Sequence, residues 1–229
     1  MGKIFSNSED NLCNEKAAFM NFRLYSEDES SFHIHNMATL AEGFMLSSLY
    51  LTKQMIEDQT DMQEDILIFP VLFNANHAIE VYLKAISWAL NLLNDTEDKF
   101  RQTHLLKELL DNVKCSFIDY ETDENNVEKF TEGIKPLEEF INEIYEKTKG
   151  VTVKGKEKYN IDFPRYTLNI DYKPQFYVKE LDNVAVKLVN LYATLGNIHR
   201  TLKGLKEYCL TALVDKCIEE NKEKQAEEL

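Results

Sequence analysis

Three ionisable side chains inside an apolar stretch are the residues best placed to do chemistry. The segment from Asp65 to Leu93 reads DILIFPVLFNANHAIEVYLKAISWALNLL, and within it His77, Glu80 and Lys84 fall at i, i+3 and i+7. Wound as a helix, that spacing puts all three along one face. An imidazole beside a carboxylate can move a proton near neutral pH, and an amine can steady negative charge on a phosphate. The same row also has a plainer description. Glu80 and Lys84 have the favourable acid-before-base i,i+4 order of a helix salt bridge, with His77 at its end. Either way the groups need partners, because burying unpaired polar atoms is costly.

A second set of candidates lies further along the chain. His104 opens the amphipathic run HLLKELLDNVKCSF, and Arg165 and Tyr166 stand in the middle of an irregular stretch. Arg165 is one of four arginines, and its planar fork suits a carboxylate such as Glu80. His77 and His104 are the candidate catalytic acids or bases; with Glu80, Lys84, Arg165 and Tyr166 they form the candidate polar network. His33 and His35 have no further ligand signal near them, and His199–Arg200 reads as a solvated or interface pair. HAIEVYLK lacks the paired histidines of HExxH, and Cys13, Cys115, Cys209 and Cys217 lack zinc spacing. The expectation is no metal, no cofactor and reduced thiols. Phosphate loops and nucleophile elbows are missing from the sequence too.

The elements that must position these residues read as helices. With 229 residues, 44% of them apolar, the chain suits one domain with a substantial core, and seven glycines and four prolines favour long regular elements. A formal charge of −14 opposes nonspecific DNA binding. The segment 66–93 is interrupted by Pro70, Asn74, Asn76, His77, Glu80 and Lys84, which argues against a membrane span. The N-terminus has no apolar signal core, so the expected location is cytoplasmic. Residues 1–35 read as a flexible arm, with a short helix at Glu15–Phe22. A helical domain then covers 36–218, and 219–229 form a charged tail. Within the domain the first helix is predicted from Asn36, as its cap, to Asp58. The second carries Pro70, with Ile66–Phe69 as a bent first turn. Further helices are predicted from His104, over Val127–Lys149 with Gly150 as its C′ residue, and from Val178 onward, broken near Gly204. Residues 151–177 alternate aromatic and β-branched residues among prolines and glycines, the signals of a structured insertion with a short β-hairpin. An all-α antiparallel bundle with one irregular insertion follows.

On these residues a resemblance can be stated. FPVLFNANHAIEVYLKAI, then THLLKELL, then FPRYTLNI resemble the HEPN superfamily of prokaryotic helical proteins, in the form with an RHxxELxLK pattern followed by HxL and RY elements. The resemblance spans roughly residues 37–205; His77, Glu80 and Lys84 match HxxExxxK, His104 matches HxL, and Arg165 and Tyr166 match RY. The chain departs from the pattern at Asn76, where relatives often carry arginine. It also lacks the arginine followed four to six residues later by histidine that carries RNA cleavage in the superfamily. The resemblance therefore implies a homodimeric, non-catalytic binding or regulatory protein. Its expected setting is prokaryotic defence or toxin–antitoxin, with a partner protein encoded nearby and RNA or a nucleotide as ligand. Two alternatives stand beside it: a divergent ribonuclease using His77 or His104 with Lys84 or Arg165, and a nucleotide-sensing module.

Overall fold

The computed structural model describes residues 18, 30–58, 62–96, 99–148, 163–169, 171–179 and 184–227. Among them the chain is an all-α helical bundle of six helices: α1 Ser30–Glu57, α2 Glu64–Leu93, α3 Leu106–Tyr120, α4 Glu124–Thr148, α5 Phe176–Lys179 and α6 Leu188–Glu227. Helix α2 packs against α1, α3 and α6, and α4 against α3 and α6. Its fully buried residues include Ile79, Tyr82, Leu83, Ile86 and Leu90, so the apolar segment forms the centre of the core. By length and composition α2 is also long and apolar enough to cross a membrane.

The direction of the helices follows from pairs that meet. Glu80 contacts His104, Ser87 contacts Asn112, and Asn94 contacts the Ser116 carbonyl, so α3 runs in the same direction as α2. For that, the chain after Leu93 must first travel back along α2, and the segment 99–105 does so without helix. Helix α1 is antiparallel to α2, with the Ser48 hydroxyl donating to the Val71 carbonyl at 2.9 Å. Helix α4 is antiparallel to α3, with Phe117 stacked on Phe130 and Lys114 paired with Glu138.

Several boundaries differ from the sequence expectation. Helix α1 starts before Asn36, because Ile34 is fully buried one turn ahead of Ala38 and Ala41 and carries the apolar stripe backward. Helix α2 winds from Glu64 through Pro70 without a separate first turn. Helix α3 begins two residues after His104 and reaches Tyr120, held by the buried Phe117, so the polar break shrinks to 121–123. There Asp123 Oδ1 accepts the Asn125 N–H at 2.9 Å, a side-chain cap for α4. Helix α6 starts at Leu188, since its buried face begins only at Leu191. It then continues through Gly204 and into the charged tail, where residues 219–226 are exposed. Glu15–Phe22, save Ala18, and Gly150 lie outside the described residues.

The insertion holds a tight turn. The Asn169 N–H donates to Lys173 O, the Gln175 N–H to Thr167 O, and a lone antiparallel bridge joins Leu168 and Pro174. One bridge is too little for a strand, and the described residues contain none.

Gly204 gives the first expected result. A Cβ there meets no atom within 4 Å, so Gly204→Ala adds no clash and removes the backbone entropy that glycine loses in a helix. Stability should rise by about 0.5–1 kcal/mol in urea denaturation.

Candidate functional site

The sequence candidates gather on one face of α2, in two adjoining groups. In the first, Lys84 Nζ donates to Glu80 Oε1 at 2.8 Å and His104 Nδ1 lies 2.9 Å from the same oxygen. The carboxylate and the amine are 12% and 11% exposed, while the imidazole is 80% exposed. One buried ion pair is thus touched from outside by a solvated ring. The i,i+4 order of Glu80 and Lys84 comes from the helix; His104 comes from the segment that returns along it.

That segment has a second fastening. Phe100 packs on Trp88 with ring centroids 6.0 Å apart, and Lys84 Nζ lies 5.8 Å from the Phe100 ring centre. Lys99 Nζ stands 5.5 Å from the Trp88 ring centre, and His33 of α1 stacks on Trp88 at 6.2 Å. Trp88 follows Lys84 by four residues and so extends the same row. Residues 99–105 form a strap, with Phe100 at Trp88 and His104 at Glu80. The row on α2 is where it docks.

The second group surrounds His77. Its ring lies edge-on to Phe44 at 4.5 Å and parallel to Phe73 at 6.0 Å. The Arg165 guanidinium sits 5.3 Å from the Phe73 ring centre and 5.2 Å from that of Tyr166, to whose hydroxyl it donates at 3.3 Å. The expectation that Arg165 reaches Glu80 takes a different form: Glu80 Oε1 holds Lys84 and His104, and Arg165 lies over rings instead. Arg165 and Tyr166 are exposed. Behind them, the Tyr177 hydroxyl lies 3.0 Å from Phe163 O and 3.2 Å from Tyr166 O, and its ring packs on Phe69 of α2. Burial raises the Tyr177 pKa above the usual phenol value, which keeps that hydroxyl a donor.

Arg165 and the His77 imidazole share one ring, Phe73, so a guanidinium and a planar imidazole stand close together on this face. Phe44, Phe73, Trp88 and Phe100 were not among the sequence candidates. Phe73 and Trp88 carry a legible signal, since they lie four residues before His77 and four after Lys84. Among the described residues no group of three His, Cys, Asp or Glu side chains is placed to hold a metal ion. Cys115, Cys209 and Cys217 are free thiols; burial pushes the Cys209 thiol up to about 12.

A separate charged cluster, unforeseen from sequence, ties α1 to α6. Glu42 accepts from Lys203 Nζ at 2.9 Å, and His199 Nε2 lies 3.8 Å from the same carboxylate. The Lys203 hydrogen bond holds the Glu42 carboxyl below its usual range, and burial lowers the His199 pKa more than Glu42 raises it. Lys206, Glu207 and the buried Tyr82 hydroxyl of α2 also bear on this cluster. His199 binds its proton less readily folded than unfolded, so its contribution is present above about pH 6.5 and is lost as pH falls. Glu42 acts in the same sense below about pH 4.5. Stability should therefore decline from pH 7 toward pH 4. His199→Gln should flatten the first part of that decline in denaturant titrations at each pH.

No family model matches the chain, and no curated protein or solved structure matches it.

Proposed function

We propose that this chain is a non-catalytic, HEPN-like binding or regulatory protein. It acts in the cytoplasm as a homodimer beside a partner protein, in a prokaryotic defence or toxin–antitoxin setting. The setting rests on the sequence resemblance; the binding role rests on geometry. The observation that carries it is the commitment of Glu80 to Lys84 and His104. The row's acid is engaged by Lys84 and His104, while Arg165 and His77 share the Phe73 ring beside it. An anionic ligand with a planar ring, a nucleotide or a short RNA, fits that pairing. Melting of the full chain with ATP and with short RNA oligonucleotides is the test. At one hundred times the dissociation constant a ligand adds about 2.7 kcal/mol of stability, and Arg165→Ala should abolish the shift. No shift with either probe removes the reading.

A divergent ribonuclease is the second reading, favoured by one feature. His104 turns Nδ1 to a carboxylate, the orientation that leaves Nε2 for general acid–base work. Incubation of RNA in chelator with wild type, His77→Ala and His104→Ala separates the two. Cleavage lost in a folded variant supports the enzyme; no cleavage by wild type removes it.

A further inference from the structure

Because α2 and α3 run in the same direction, their C-terminal ends arrive side by side, at Leu93 and Tyr120, and are joined by the Asn94 amide donating to Ser116 O at 2.9 Å. Helix C-termini carry partial negative charge, so this end of the bundle favours cations. A groove of about 490 Å³ lies there against α6, with Tyr120 and Tyr208 among its walls and Asp215, Lys216 and Glu219 along it. Its volume lies in the range of small-molecule sites. It sits some twenty residues along α2 from Phe73, roughly 30 Å away at helical rise.

Carboxylates outnumber ammonium groups at the groove, Asp215 and Glu219 against Lys216. Asp215 and Glu219 line it and are exposed. Glu121 stands behind Tyr208, whose hydroxyl donates to it, and Asp95 stands behind Lys216. The fold already draws one ammonium to this place: Lys216 Nζ donates to Leu92 O at 3.0 Å, to Leu93 O and to Asp95. That ammonium is spent on the end of α2, which leaves Asp215, Glu219 and the two phenol rings for a second cation. Burial and the Glu121 carboxylate both raise the pKa values of Tyr120 and Tyr208 above the usual phenol value, so both rings stay neutral.

We infer that this groove binds a linear aliphatic polyamine, one ammonium lying against the Tyr120 and Tyr208 rings and another between Asp215 and Glu219. Rings attract ammonium groups through their negative faces, and a carboxylate pair beside them fixes a second charge at a set spacing. This site is independent of the Arg165 face and stands or falls without it.

Titration calorimetry of the full chain with spermidine tests it, at low ionic strength and again at about 0.15 M salt. The expected result is saturable binding at one site per chain. The double variant Asp215→Asn/Glu219→Gln should weaken it by about tenfold, the loss of roughly 1.4 kcal/mol of attraction. Both side chains are exposed, so this variant should keep its helical circular dichroism. The comparison variant Glu128→Gln/Glu143→Gln, on the exposed face of α4, should bind as wild type does. Absence of saturable heat overturns the inference. So does equal weakening by the two double variants, which is the signature of general attraction to an acidic protein.

Discussion

Trp88→Ala should lower the stability of the bundle by about 4 kcal/mol and its melting temperature by roughly 10 °C, the largest single-residue effect expected on the candidate face. Trp88 is 7% exposed and touches two separate pieces of chain: α1 through His33, and the strap through Lys99 and Phe100. Removing the indole leaves a cavity that the strap cannot fill, because its other fastening at His104 sits two turns away on α2. The loss should therefore include both the cavity and the ordering of 99–105. Amide exchange at Lys99 to Leu105 should accelerate more than exchange on α4, which packs on α3 and α6. Uniform acceleration across the bundle would show that the strap is held by something other than this ring.

Glu80→Ala should cost about 2 kcal/mol. Two contacts are lost, and they are unequal. The His104 contact ends on a side chain 80% exposed, where an ion pair contributes a few tenths of a kcal/mol at most. The Lys84 contact ends on an amine 11% exposed, and an ammonium left there without its carboxylate is the expensive outcome. The double variant Glu80→Ala/Lys84→Met should therefore recover most of the loss, since it removes the stranded charge and keeps the apolar stem. Glu80→Gln, which retains an acceptor, should fall between. If urea denaturation gives Glu80→Ala the stability of wild type, the Glu80–Lys84 pair does not contribute to the fold.

Much of this architecture was legible in the residues, for a physical reason: α4 and most of α1 are periodic, as burial on one face requires, and α2 is apolar nearly all round, as burial on several sides requires. The start of α1 was harder to read because a single isoleucine, Ile34, extends the stripe into a polar stretch. Gly204 reads as a break, yet Leu202, Leu205 and Cys209 around it bury enough apolar surface to carry the helix across. At the site, the grouping of Glu80 with Lys84 follows from spacing. Its meeting with His104 does not, because it depends on the chain doubling back before α3. That return is a short polar run held, among the described residues, at Lys99 and Phe100 on Trp88 and at His104 on Glu80, and so few contacts make no period. The Glu42–His199–Lys203 cluster was hidden for a related reason. Its members lie on α1 and α6, and nothing local in either helix marks an acid or a histidine as paired across the bundle.

Pro70 has a consequence for how α2 holds together along its length. It supplies no N–H, so the Ile66 carbonyl has no donor four residues on, and Ile66 itself is 71% exposed. The other end is clasped by Lys216, which donates to the Leu92 and Leu93 carbonyls. One terminus of the central rod is thus built to fray and the other to stay wound. Unzipping on warming then has a polarity, beginning beside the connection to α1 and reaching the face that carries His77 before it reaches the clasp.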